Sequence, residues 1–300
     1  MLIYKLTLGS IFFAAIPLWV LSRQHLGIWR RLLTAGAWLW GVWWGIAWPV
    51  LGYHLRWLWL LLVLLMLMVM FKLMVANTRQ QSSVEPLTLW KKIGWNTVFL
   101  LGVMFLLGQA LGRWYPPEPH AVNMDGPLKQ GTYAVLQGGS NGATNPGHAG
   151  HVQSERLAVD WVKLGAWGFR ASGLKPAELT AYHIYGDTVY APLSGMITAR
   201  CDSLPDLLPG LVDTVNTRGN FVEIEVRDSL SLLLAHLQSG QVWVSPGDSV
   251  LAGMAVGLVG NSGNTMEPHL HMSLSNSRGW AVPMLVEGVY PVLNRRFDFW

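Results

Sequence analysis

The chain has 300 residues, of which 51% are hydrophobic and only 13% are charged, and its formal net charge is +4. This apolar excess is larger than a soluble globular domain needs, and most of it precedes residue 113. We therefore predict two parts, a transmembrane helical anchor over 1–113 and an extracytoplasmic domain over 114–300. The modest charge, with early basic residues beside apolar runs, excludes a nucleic-acid-binding surface as the main interpretation. A single cysteine, Cys201, excludes an intrachain disulfide and a cysteine-based zinc cluster.

Four apolar runs dominate the first part and predict membrane-spanning helices. They cover roughly residues 6–21, 32–51, 57–75 and 94–111, and about 20 residues cross a hydrocarbon core. Lys and Arg concentrate in the loops after the first and third runs, so the positive-inside rule places those loops in the cytoplasm. Four crossings then place the C-terminal domain outside the cytoplasm, as do three crossings if the first run does not span. A helical bundle buried in water is the alternative, but the segment 58–70 lacks the polar face that it would need.

Short apolar runs broken by turns predict a mainly antiparallel β domain after residue 114. The predicted strands lie within 186–197, at 220–226, at 229–237 and at 241–244. The segment 204–211 contains two prolines and is typical of a loop or an insertion.

The chemically distinctive stretch is His269-Leu270-His271, which follows a glycine-rich turn. Residues two apart on a strand face the same side, so both imidazoles would share one face. Zinc binds histidine nitrogen and carboxylate oxygen readily, and a catalytic zinc keeps one position open for water. The pair alone leaves a second interpretation open, in which two surface histidines lie on an ordinary strand.

Five segments carry short motifs in a fixed order along the C-terminal part. They are 186–197 (compare G-x-x-V-x-A-P-x-x-G-x-V), 219–224 (G-N-x-V-x-I), 234–237 (compare Y-x-H-L), 245–263 (a G-D turn and a glycine-rich strand) and 267–271 (x-P-H-L-H). Together they resemble the lysostaphin-type (LytM-type) zinc metallopeptidases, which cut bacterial cell-wall peptides. The resemblance covers the chain from about residue 131 onward and leaves the membrane part outside. It implies a compact antiparallel β domain of the lysostaphin-type fold, with the site in a groove over the sheet.

The resemblance also implies roles for residues at the matching positions. His271 and Asp160, the latter between apolar residues on a predicted strand, map to two zinc ligands. His269 and His236 would lie beside the metal-bound water, as proton shuttle and as stabilisers of developing charge.

One ligand position departs from the family pattern. Where the family has a histidine four residues before the ligand aspartate, this chain has Arg156, which cannot bind zinc. Residues 155–160 (E-R-L-A-V-D) resemble a family variant that has Q-R-x-A-x-D in place of H-x-x-x-D. Some members with this variant carry an Asn/His-rich loop ahead of it, and residues 137–141 also resemble the variant. We infer that His148 or His151, in a glycine-rich loop, supplies the missing ligand. The sequence leaves open which of the two does so.

These observations predict a membrane-anchored zinc metalloendopeptidase in the bacterial inner membrane, with its C-terminal domain in the periplasm or at the cell exterior. The predicted cofactor is Zn²⁺, and the predicted partners are peptidoglycan peptides and the lipid bilayer. The sequence leaves open a regulatory membrane partner as well. The alternative, favoured by Arg156, is a catalytically inactive domain of the same fold that binds cell wall or regulates other wall hydrolases. A sensor or transporter is the third interpretation, but the apolar runs hold no obvious carboxylate for an ion pathway.

Overall fold

The computed structural model describes residues 120–142, 144–150, 152–226 and 230–300. The predicted anchor, its apolar runs and the domain boundary after residue 113 lie outside these residues and remain predictions. Within the described ranges, no helix has the length and apolar character needed to cross a membrane.

The described residues form strands and two short 3-10 turns. The strands are β1 Val122–Met124, β2 Gly131–Gln137, β3 Val159–Leu164, β4 Thr188–Tyr190, β5 Gly195–Cys201, β6 Asn220–Val226, β7 Leu230–Val242, β8 Ser249–Val250, β9 Ala255–Val259, β10 Leu270–Asn276, β11 Met284–Val286 and β12 Arg296–Phe299. The 3-10 turns, Ala166–Gly168 and Leu179–Ala181, both lie between β3 and β4. The predicted mainly antiparallel β domain is confirmed.

Ten of the described strands form one antiparallel sheet, in the order β12-β2-β3-β10-β7-β6-β5-β8, and β9 joins β7 to β4. β1 and β11 form a separate parallel pair. At the centre, β3, β10 and β7 lie side by side and bury one face in the core, where Trp161, Leu234 and Met272 are each 0% exposed. Burial of these large side chains is the main stabilising contribution, at roughly 1.5–3 kcal/mol for each, and it determines which residues face the other side.

The strand predictions agree with the structure except at one place. The hairpin within 186–197 corresponds to β4 and the start of β5, and 220–226 coincides with β6. The two strands predicted at 229–237 and 241–244 are instead one long strand, β7. The strand continues through Gly240, whose φ is 70°, and its pairing with β9 shifts register between Leu237 and Val242. The predicted loop around 204–211 lies within an irregular segment, 202–219.

Candidate metal centre

Two adjacent strands place Asp160 and His271 opposite each other. β10 pairs with β3 so that His271 is in register with Asp160. Their neighbours Leu270 and Trp161 are fully buried in the core, so alternation along each strand sends Asp160 and His271 to the opposite face. His271 Nδ1 lies 3.0 Å from Asp160 Oδ1. The hydrophobic pattern that forms the core therefore also brings these two side chains together.

The loop before β3 brings His148 to the same carboxylate. His148 Nε2 lies 3.0 Å from Asp160 Oδ2. One donor atom each from His148, Asp160 and His271 lies within 4.8 Å of the others. The structure thus places His148 at the third position of a candidate metal site. His151 lies outside the described residues, so its predicted role is neither supported nor contradicted.

Two amide side chains hold the His148 loop against the sheet. Gln137 Nε2 donates to Asp160 Oδ2 at 3.0 Å, and Gln137 Oε1 accepts from the Gly147 backbone N–H at 2.6 Å. A Cβ at position 147 would clash with the Gln137 amide, so a larger residue there would displace this side chain from its present position. Asn145 Nδ2 donates to the Ala158 carbonyl, just before β3, at 3.0 Å. One side chain, Gln137, therefore orients both the ligand carboxylate and the loop.

A β-bulge turns His236 toward the same face. Ala235 on β7 is paired with His271, so regular alternation would point His236 away from the site. The pairing between β6 and β7 skips His236, which adopts a φ of 64°. A left-handed conformation costs a non-glycine residue about 1–3 kcal/mol, and bulges commonly re-aim a side chain at a site. The His236 ring lies 4.7 Å from the His269 ring and 5.7 Å from that of His271 between centroids.

Backbone carbonyls set the tautomers of His236 and His269. His236 Nδ1 lies 2.9 Å from the Ser262 carbonyl oxygen, and His269 Nδ1 lies 2.9 Å from that of Glu267. Because a carbonyl only accepts hydrogen bonds, each Nδ1 carries a hydrogen, and Nε2 is the proton acceptor of the neutral ring. His269 Nε2 lies 3.6 Å from Asp160 Oδ1. The accepting nitrogen of His269, the residue before β10, therefore faces the candidate ligand Asp160.

The turn that holds the His236 ring is itself held from two sides. Ser262 Oγ accepts from the Asn220 backbone N–H at 2.8 Å and donates to the Leu237 carbonyl at 2.7 Å. Asp206, in the irregular segment 202–219, accepts from the Asn261 backbone N–H at 2.7 Å. These bonds place the carbonyl that fixes the His236 tautomer.

Burial and neighbouring charges determine the protonation states. Burial alone would raise the pKa of Asp160, but His148 and His269 outweigh it and hold that pKa well below its usual range. Burial lowers the pKa of His236 well below its usual value, and His269 and His271 act in the same direction. Burial also lowers the pKa of His148, but the Asp160 carboxylate reverses the effect and leaves that pKa raised. At neutral pH the carboxylate is ionised and His236 is neutral, as a ligand and a proton acceptor must be.

Gln137 and Arg170 support the site, although neither has an individual role in the sequence motifs. Gln137 lay in a segment that matched the family variant, yet its link to Asp160 depends on how the loop folds back. Arg170 and Glu267 form a two-point ion pair, with Nε–Oε1 at 2.6 Å and Nη2–Oε2 at 3.0 Å. This pair ties the β3–β4 connection to the segment that carries His269. No local pattern signals it, because its members are 97 residues apart.

Comparison with known proteins locates a family within this part of the chain. Residues 180–283 match the family model described as Peptidase family M23. The match covers about a third of the chain and includes His236, His269 and His271, whereas His148 and Asp160 precede it. No curated protein matches the chain.

Three solved structures illustrate the range of identity and coverage among the similar chains. A zinc-containing peptidase from Vibrio cholerae is 20% identical, with 54% of this chain and 39% of that chain covered and a TM-score of 0.31. Lysostaphin is 22% identical, with 40% and 36% covered and a TM-score of 0.27. A chain of the SpoIIQ–SpoIIIAH pore-forming complex is 17% identical, with 54% and 88% covered and a TM-score of 0.34. This chain spans less than half the length of the first two. Because the identities and TM-scores are this low, none of the three similarities assigns an activity or a partner to this chain.

Proposed function

We propose that this chain, whose C-terminal part carries a Peptidase family M23 domain, is a membrane-anchored zinc endopeptidase that hydrolyses peptide bonds in bacterial peptidoglycan. M23 peptidases are zinc enzymes, and zinc is the cofactor that the donor set fits. The observation that carries the proposal is the convergence of His148, Asp160 and His271, whose donor atoms lie within 4.8 Å of one another. Two imidazole nitrogens and one carboxylate oxygen are a ligand set typical of a catalytic zinc with an open position.

The buried carboxylate is the strongest argument that these residues hold a cation. Asp160 is 2% exposed and accepts contacts at 3.0 Å from His148, His271 and Gln137. An ionised carboxylate is costly to bury unless it is paired or binds a metal. Gln137 would retain its bond to Asp160 and so orient the ligand. A zinc ion bound there would polarise the scissile carbonyl and lower the pKa of a bound water toward neutrality.

His236 and His269 are suited to move the proton during hydrolysis. Each carries its hydrogen on Nδ1, where a backbone carbonyl accepts it, so Nε2 can take the proton that the attacking water gives up. The same Nε2 then delivers that proton to the leaving amine nitrogen. While protonated, the ring donates to the carbonyl oxygen that gains negative charge. Burial lowers the pKa of His236, so the ring starts neutral and returns its proton readily.

The substrate and the location rest on the family and on the N-terminal sequence. Lysostaphin-type peptidases act on cell-wall peptides, and peptidoglycan lies outside the cytoplasmic membrane. The predicted topology of the four apolar runs in 1–113 would hold the domain on that side. A membrane anchor would keep the enzyme close to newly made wall.

Full-length chain purified in detergent is expected to contain about one zinc ion per chain, because one candidate site carries the ligand set. It should cleave peptidoglycan peptides, leaving a new amine and a new carboxylate that mass spectrometry identifies. Removing zinc with a chelator should abolish cleavage, and adding zinc back should restore it. Folded protein that binds no zinc, or that binds zinc and cleaves no wall peptide, would refute the proposal.

A catalytically inactive regulator remains the second candidate, because Arg156 occupies the position of the family's usual histidine ligand. His148 could replace that ligand, because its Nε2 lies 3.0 Å from Asp160 Oδ2. The two candidates differ in their response to His269→Ala. A regulator should keep its biological activity in this variant, whereas the enzyme should lose most of it.

As the pH is lowered, zinc binding is expected to weaken. The weakening should begin at a higher pH than it would if the pKa of His148 had the ordinary value. Because Asp160 leaves the pKa of His148 raised in the metal-free protein, its proton competes with the metal above the ordinary value of about 6.5. Below the folded pKa, affinity should fall about tenfold per pH unit for each proton displaced.

The folding stability of the metal-free protein should change with pH in the opposite direction, rising as the pH falls. The protonated His148–Asp160 pair contributes stability that is fully present below the unfolded pKa and is lost as pH rises through the raised folded pKa. Zinc titrations and thermal unfolding of chelator-treated protein, each between about pH 5.5 and 8, measure both effects. A zinc affinity that is constant over this range would contradict the assignment of His148.

A further inference from the structure

The loop that carries His148 also lines one side of a polar surface cavity that the proposed mechanism does not use. The cavity has a volume of about 360 Å³, and its walls include Ser140, Gly150, Gln153 and Arg156. Gly150 follows His148 by two residues, so this wall of the cavity adjoins the candidate metal site along the chain. A ligand held in the cavity would therefore contact the loop that carries His148.

The lining favours an anion. It contains one guanidinium, a hydroxyl and two side-chain amides, and none of its residues is acidic. The ion pairs among the described residues do not include Arg156, and the adjacent carboxylate of Glu155 lies 3.9 Å from the Arg218 guanidinium instead. Arginine presents a planar fork of donors that matches a carboxylate at two points. The cavity thus offers an exposed guanidinium without a competing carboxylate in its lining.

We propose that this cavity is a subsite in which Arg156 binds a carboxylate group of the peptide substrate. The inference rests on the proposed function for the identity of the substrate as a peptide. Peptides carry carboxylates at the C-terminus and on acidic side chains, and both share the chemistry that Arg156 recognises. The residue that cannot bind zinc at position 156 thereby gains a role in substrate selection, while His148 supplies the metal ligand.

The test uses full-length, zinc-loaded chain that also carries His236→Ala, so that binding is measured without turnover. The probe is a synthetic peptidoglycan stem peptide in three forms: unmodified, amidated at the C-terminus, and amidated on its side-chain carboxylates. Calorimetric titration should show that Arg156→Met weakens binding of the unmodified peptide about tenfold, the loss of one charge-assisted contact at a partly solvated site. Arg156→Lys should lose less, since it retains the charge without the fork.

One amidated form should bind the parent protein about tenfold more weakly, and Arg156→Met should no longer distinguish that form from the unmodified peptide. Which form this is identifies the carboxylate as terminal or as a side chain. Lys129→Met is the matched control, because it removes one positive charge at an exposed residue that does not line the cavity. Its affinities should equal those of the parent.

Equal affinity of Arg156→Met and the parent for the unmodified peptide would overturn the subsite, as would a parent protein that binds none of the three forms. In the active enzyme, Arg156→Met should raise KM with kcat and zinc content unchanged. If the enzyme cleaves wall peptides and Arg156→Met changes nothing, the subsite fails while the proposed function stands. If it cleaves none but shows Arg156-dependent binding, the proposed function fails while carboxylate binding stands.

Discussion

Replacing His148 with alanine is expected to weaken zinc binding by at least about a hundredfold, since losing groups that merely support a ligand already costs roughly 10–100-fold. Hydrolysis of wall peptides should fall with the zinc content. The reason is geometric, because His148 Nε2 approaches Asp160 Oδ2 at 3.0 Å and so supplies the third donor of the site. Competition between the protein and a chromogenic chelator measures the affinity directly.

Two further variants make this result specific to His148. His151→Ala should retain zinc, which would decide between the two histidines that the sequence leaves equivalent. His120→Ala, at an exposed residue at the start of the described region, controls for removal of any imidazole. Normal zinc binding by His148→Ala, or loss of zinc from His151→Ala, would assign the third ligand to His151 instead.

His236→Ala is expected to keep its zinc and to lower kcat by about 10²–10⁴, the usual contribution of a positioned general acid–base group. KM should change little, because the ring transfers a proton during the reaction and does not bind the substrate beforehand. Zinc content by mass spectrometry and steady-state hydrolysis separate the two effects. A variant that loses zinc together with activity would mean that His236 supports the metal ligands and is not a proton acceptor.

The backbone at His236 provides a control for folding. His236 has a φ of 64°, which glycine adopts without strain. His236→Gly should therefore be at least as stable to thermal unfolding as His236→Ala and equally inactive. Equal loss of kcat in both variants, with the glycine variant fully folded, attributes the effect to the missing imidazole.

The parts of the site that follow from strand alternation could be predicted from the sequence. Asp160 lies between buried apolar residues on β3, and His271 lies between buried residues on β10. That pattern specifies which face each side chain occupies. The family resemblance supplied their shared role as zinc ligands, and the structure places the two residues in register on adjacent strands.

The remaining parts depend on features that alternation does not encode. His236 would face away from the site on a regular strand, and only the bulge in β7 brings it back. The choice of His148 depends on the path of a loop that Gln137 and Asn145 hold through hydrogen bonds to distant positions. Such contacts leave no periodic signal, and so the sequence narrowed the third ligand to two histidines and no further.

The spacing of the three candidate ligands along the chain has a consequence for the lifetime of the protein. His148 and His271 are 12 and 111 residues from Asp160 along the chain. A bound ion would therefore close two rings in the polypeptide, one small and one spanning much of the domain. Closing such rings restricts the unfolded chain much as a disulfide does, in a protein whose single cysteine excludes an internal disulfide. Zinc supply would then govern how long the domain survives proteolysis, as well as whether it can act.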